Sequence, residues 1–312
     1  MTTGVEPATN RRGSWTSFPI ARVAGIEVRV HLSFLVLVAL FAAAAPEPGV
    51  ANALLSVTWL LVIFACVIVH EFAHSLVART RGVDVHEILL LPLGGVSKME
   101  RLPERPRDEF AIAIVGPLAS FAIAAMAGAL CIVTGHSLVP VDLIDGAWLA
   151  RITWLNLILG AFNLIPAFPL DGGRVFRSLL ERNQTLEAAT RTATRVGHAF
   201  AVALMVIGFF FDLWLMLIGA FIYFGASAEQ AATIVHIRLE GHHVADAMRV
   251  DLDRIPIGPW MQAAPIAPED PLSDELIARL ARAVDRQLPV AKAGQVTGVL
   301  RLEDVDRLIA TS

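Results

Sequence analysis

His70 and His74 stand four residues apart, with Glu71 beside the first, in the run His70-Glu71-Phe72-Ala73-His74. On a helix a four-residue step is about 400° of rotation, so both imidazoles project from one face within reach of a single ion. Glu71 adjoins that face and can take a proton from water held by the ion. Two imidazoles and one carboxylate suit zinc, with a fourth position left open for water. Taken alone, the pattern also fits a surface helix with scattered polar residues. Its setting argues against that reading. It directly follows the apolar run WLLVIFACVIV, and ionisable side chains inside a spanning segment cost roughly 2.5–3.5 kcal/mol each on insertion scales. Two histidines and a glutamate at this spacing, at that depth, favour a metal.

A third ligand must come from elsewhere in the chain. Asp171 lies in Pro169-Leu170-Asp171-Gly172-Gly173, after an apolar segment and two prolines, so it is expected on irregular backbone at membrane depth. The alternative is a turn aspartate capping the helix that starts near Arg174. Asp84, Asp108 and Glu109 are rivals by type, but they lie in basic loops where solvation or capping accounts for them. Asn163 is the other buried polar residue of note. It can fix a substrate carbonyl or the transition-state oxygen, or only satisfy neighbouring backbone.

The elements that must carry these residues are membrane helices. Of 312 residues, 55% are hydrophobic and 17% charged, where soluble chains run at about 45–50% and 25%. Mean hydropathy is +0.62. The net charge of −4 gives no footprint for nucleic acid. Cys66 and Cys131 sit inside apolar runs and read as small buried hydrophobes. Six apolar segments are expected to span the bilayer, at about 31–45, 52–78, 109–134, 147–165, 197–211 and 213–230, with Asp212 turning the last pair. Lys and Arg crowd the segments before span one, between spans two and three, and after span four, and are missing from 46–51 and 135–146. That pattern predicts a multi-pass inner-membrane protein with both termini in the cytoplasm. Arg151 is the one mild exception.

Residues 86–98 are apolar, too short to span and broken by Pro92, Gly94 and Gly95, which fits a re-entrant loop or hairpin shielded by protein. In 163–176, Pro166 and Pro169 interrupt helix and Gly172-Gly173 permits close backbone approach. The expected organisation is a flexible N-terminus (1–17) without a cleaved signal peptide, an all-α membrane domain (18–235) and a small soluble α/β module (236–312).

The paired segments HEFAH and FNLIPAFPLDGGRV resemble the site-2 protease family of intramembrane zinc metalloproteases, whose pattern is His-Glu-x-x-His followed far along the chain by Asn-x-x-Pro…Leu-Asp-Gly. The resemblance covers about residues 18–235. It implies that His70, His74 and Asp171 bind one zinc ion, that Glu71 is the general base and acid, and that Asn163 helps to hold the scissile peptide. It likens Leu93, Gly94 and Gly95 to a membrane-embedded substrate-binding strand, and Gly116-Pro117 to another recurring feature. It further implies a single-span membrane protein as substrate, such as an anti-sigma factor. The tail resembles a CBS module through VADAM at 244–248 and LPVAKAGQVTGVLRLEDVDRLI at 288–309. Such modules pair and bind adenine nucleotides. Asp304 matches the usual ribose contact, Arg301 departs from the usual Ser or Thr, and the room for little more than one repeat implies a homodimer.

Two other readings use the same residues. A metal transporter or sensor would need ionisable residues lining several spans, and spans one, three, five and six supply almost none. An inert family member that only binds partners sits poorly with an intact Glu71.

Overall fold

The computed structural model describes residues 17–44, 49–92, 94–99, 105–139, 141–143, 146–250 and 258–311. The stretch 1–16 and Leu93 lie outside the described residues. The chain divides into two compact units, Met1–Tyr223 and Phe224–Ser312.

The first unit opens on a hairpin of β1 (Ser17–Val23) and β2 (Ile26–His31). Ala24 and Gly25 turn it with φ of 49° and 80°, the paired positive φ of a type I′ hairpin. Two apolar helices follow, α1 (Leu32–Ala43) and α2 (Val50–Thr80). The chain then returns as β3 (Val85–Leu91), parallel to β2, and turns back as β4 (Gly94–Met99). The sheet order is β1-β2-β3-β4, which leaves β4 on an edge. Along β2, Ile26, Val28 and Val30 alternate inward and pack with Ile88 and Leu90 of β3 against Phe34 of α1 and Leu60 and Phe64 of α2. The Arg79 guanidinium, in the last turn of α2, donates to the carbonyls of Ala24 and Val85 and pins the sheet to that helix end.

This sheet corrects the expectation of an all-α membrane domain. The segment 86–98 forms the β3–β4 hairpin, but β1 and β2 were unforeseen. Their alternation, Ile-Glu-Val-Arg-Val-His, lasts only six residues and runs straight into an apolar helix.

The remaining helices of this unit are α3 (Pro106–Val133), α4 (Trp148–Asn163), α5 (Asp171–Leu180) and α6 (Leu186–Phe211), and α7 (Leu213–Leu239) leads out of it. Among the described residues, four helices, α2, α3, α6 and α7, are long and apolar enough to cross a membrane. The other two expected spans correspond to α1 and α4, of 12 and 16 residues. At 1.5 Å per residue these rise about 18 and 24 Å, less than the roughly 30 Å of a hydrocarbon core. Asp212 accepts from the Trp214 amide at 2.6 Å and turns α6 into α7. Leu54, Leu61, Met126, Val133, Phe210 and Trp214 are all more than half exposed, an apolar surface that lipid, not water, would cover.

Inside the unit, small residues bring helices together. A Cβ on Gly160 of α4 would sit 2.8 Å from the Phe121 ring of α3. Arg151, the exception in the charge pattern, places its guanidinium 3.9 Å from the centroid of Trp59, and its Nε donates to the Leu143 carbonyl at 3.0 Å. Its charge is thus met by an aromatic face on α2 and a backbone oxygen.

Between α3 and α5 lies a buried ion pair. Arg177, 1% exposed, donates through Nε and Nη2 to one carboxylate oxygen of Glu109. Glu109 was expected to be solvated or to cap its helix. It faces inward because Arg177 supplies its counter-charge. Glu181 is 3.9 Å from the same guanidinium, and burial together with the Glu109 carboxylate pushes it up to about 7.

The second unit holds the end of α7, then α8 (Val244–Ala247), α9 (Asp274–Arg282), the antiparallel pair β5 (Gln287–Lys292) and β6 (Gln295–Arg301), and α10 (Leu302–Thr311). Val244, Leu276, Leu280, Leu288, Val290, Leu300 and Val305 form its core.

Two predictions follow from the ion pair. Arg177→Ala leaves Glu109 buried and uncompensated, so thermal unfolding in detergent should report a loss of about 3–5 kcal/mol, while the apolar double substitution Arg177→Met with Glu109→Leu should recover most of it. A carboxyl whose folded pKa is raised favours the folded state while protonated, and that advantage is lost as it ionises. Stability should therefore decline as pH rises from the ordinary value of 4.5 through about 7, and Glu181→Gln should flatten the decline.

Candidate metal centre

His70 and His74 lie on the buried face of α2, 3% and 5% exposed. Helical spacing brings their Nε2 atoms to 3.2 Å from each other. Asp171 is the first residue of α5, and its Oδ2 lies 3.0 Å from His70 Nε2 and 3.1 Å from His74 Nε2. These three are, among the described residues, the group able to hold a metal ion. A tetrahedral ion with bonds of about 2.0–2.1 Å separates its ligand atoms by roughly 3.3 Å, close to all three distances.

The outer ring nitrogens fix the orientation. His74 Nδ1 is 2.6 Å from the carbonyl of Ile112. A carbonyl only accepts, so Nδ1 carries the proton and Nε2 of the neutral ring turns a lone pair inward. His70 Nδ1 is 3.0 Å from Ser120 Oγ, which is fully buried. Ile112, Gly116 and Ser120 fall at four-residue steps on α3 and make one stripe. At its middle Gly116 leaves the space that the rings fill: a Cβ there would lie 2.1 Å from His74 Nε2 and 2.7 Å from His70 Nε2.

Asp171 is brought in by tight packing of the α5 start. A Cβ on Gly172 would lie 2.2 Å from the Ile165 carbonyl oxygen, and one on Gly173 would lie 2.6 Å from the Phe168 nitrogen. Only glycines let the helix abut the turn at 164–168, which is anchored by fully buried Ala167 and Phe168. Glu71 lies against β4, since a Cβ on Gly95 would sit 2.6 Å from its Cγ. The structure thus brings His70, Glu71, His74, Asp171 and Gly95 to one locality. Gly94, beside Gly95, has φ of 141°, a left-handed backbone that favours glycine.

Asn163 ends α4, is half-buried, and donates from Nδ2 to the Leu159 carbonyl of its own helix at 3.1 Å. Among the described residues it makes no hydrogen bond to the three candidate ligands. Asp304, in the second unit, is 8% exposed and receives Arg249 Nε and Nη2 at 2.7–3.0 Å. A ribose contact there would have to displace that arginine. Sequence reasoning missed Ile112 and Ser120, because a backbone carbonyl and a lone serine carry no type signal. Only the four-residue spacing around Gly116 could have pointed to them.

Fold and site together define a polytopic helical protein with a two-histidine, one-carboxylate centre between three of its helices. Residues 58–146 and 146–204 match the model of peptidase family M50. The solved site-2 protease from Methanocaldococcus jannaschii matches with a TM-score of 0.52 and 34% identity, covering 69% of this chain and 95% of that one. The chain belongs to this family, the site-2 proteases of peptidase family M50. Among curated relatives, a zinc metalloprotease of M. jannaschii is 33% identical over 225 residues, covering 71% of this chain and 62% of that protein. Rip3 of Mycobacterium tuberculosis is 36% identical over 253 residues, covering 74% and 63%. The chain therefore spans about three fifths of the length of these relatives.

The stripe on α3 makes a direct prediction. Gly116→Ala should abolish stoichiometric zinc in the purified protein, measured by elemental mass spectrometry. Ser120→Ala, which removes only the hydrogen bond behind His70, should weaken zinc affinity about 10–100-fold in a chelator competition.

Proposed function

We propose that the chain is a zinc-dependent intramembrane endopeptidase that cleaves membrane-spanning segments of tethered proteins. The observation that carries this reading is the convergence of His70 Nε2, His74 Nε2 and Asp171 Oδ2 beside Glu71, within an apolar helical unit. Held by these three, zinc supplies Lewis-acid polarisation of the scissile carbonyl and lowers the pKa of a water. Glu71 takes the proton from the attacking water at its carboxylate and returns it to the leaving amide nitrogen. Asn163, with its side-chain carbonyl and amide at the end of α4, serves to orient the substrate backbone.

A helical substrate hides its peptide bonds, so the scissile segment must be extended when it is cut. The edge position of β4 among the described strands supports an arrangement in which that segment adds as a further strand. Gly95, packed on Glu71, then brings it to the general base, with Gly94 beside it on β4. The basic residues at the end of α2, Arg79 and Arg81, support a cytoplasmic position for that end of the helix and a cell-membrane location with both termini inside. The single substitution Glu71→Gln tests the mechanism. Zinc content should stay at the wild-type level while cleavage of a co-expressed single-span membrane substrate falls about 10²–10⁴-fold. Unchanged cleavage would remove Glu71 from the reaction.

A further inference from the structure

Two turns along α5 from Asp171, a cavity of about 390 Å³ opens between the start of α3 and the end of α5. Arg105, Arg107 and Arg182 line it together with Pro106, Phe110 and Leu179. All three arginines are exposed, and among the described residues none of them makes a salt bridge. Two nearby acids among the described residues are engaged elsewhere. Asp108 pairs with Arg81 at 2.6 Å, and Glu109 is held by Arg177. Three uncompensated guanidiniums around one cavity attract an anion, and a guanidinium fork matches the oxygens of a phosphate.

The position says which phosphate. Pro106 begins a 28-residue apolar helix long enough to cross the bilayer, so Arg105 and Arg107 stand where that helix meets the headgroups. Phe110 lies one turn deeper on the same helix, and Leu179 faces the cavity from α5. A charged rim over an apolar floor fits a headgroup phosphate with its acyl chain beneath. We propose that this cavity binds the phosphodiester headgroup of an anionic membrane lipid. The inference is independent of the peptidase reading and needs only that α3 enters a bilayer at its first turn.

The test uses the full-length protein in neutral detergent micelles carrying equal phosphatidylglycerol and phosphatidylcholine, with bound lipid counted by native mass spectrometry. Wild type should retain phosphatidylglycerol over phosphatidylcholine. Each of Arg105→Gln, Arg107→Gln and Arg182→Gln should reduce that preference about fivefold, while Arg195→Gln, an exposed arginine on α6 away from the cavity, should leave it unchanged. Phe110→Ala should weaken retention of both lipids. Millimolar inorganic phosphate should not displace the bound lipid. Displacement by phosphate alone would assign the cavity to a soluble anion and overturn the lipid. An equal loss in Arg195→Gln, or no preference in the wild type, would reduce the three arginines to general surface charge.

Discussion

Two imidazole nitrogens and a carboxylate oxygen face one another at 3.0–3.2 Å in an apolar interior. The proton on His74 is drawn outward to the Ile112 carbonyl, so the inner nitrogen has none to offer. In water such acceptors would be solvated separately. In a low-dielectric interior, polar atoms this close cost several kcal/mol unless a cation or a proton lies between them. A cation of the right size relieves this. The arrangement of the surrounding helices follows from the need to bring three acceptors this close and hold them there.

Each neighbour of the centre supplies one part of that restraint. On α3, the stripe of Ile112, Gly116 and Ser120 orients both rings and makes room for them. On α5, glycines 172 and 173 let the helix begin directly against the preceding turn, which sets the depth of Asp171. Further along the same helix, Arg177 grips Glu109 of α3, so the two helices that flank the histidines are tied by a buried ion pair. Such a pair contributes more to fixing one packing than to net stability. Beneath the site, Arg79 ties the sheet to the end of α2, and the edge strand of that sheet reaches Glu71 through Gly95. Candidate metal ligands, candidate base and candidate substrate strand are thereby referred to a common frame.

The candidate ligand set was legible in the sequence because its residue types are costly in an apolar run. His70, Glu71 and His74 share a helical spacing, and Asp171 sits in a proline- and glycine-rich break after an apolar segment. What supports them was not legible. Ile112 acts through its backbone, Ser120 through one hydroxyl, and Gly116 through the absence of a side chain, so none has a type signature. Glu109 was misjudged for a related reason. Its sequence neighbours are basic, but the residue that fixes its position, Arg177, lies 68 positions away. The β3–β4 hairpin could be anticipated from Pro92, Gly94 and Gly95. The first hairpin could not, since a six-residue alternation beside an apolar helix blends into it. Helix lengths set a similar limit. Apolar composition marks α1 and α4 as clearly as the long helices, and only the folded chain reveals that they run for 12 and 16 residues.

The central claim, that one zinc ion is bound by two histidines of α2 and the aspartate of α5, is tested most directly by X-ray absorption at the zinc edge on the purified protein. The account predicts one zinc per chain, with two imidazole nitrogens and carboxylate oxygen at about 2.0–2.2 Å, and loss of the ion in His70→Ala, His74→Ala and Asp171→Ala. A shell without imidazole scattering, or full zinc content surviving in those variants, would contradict it.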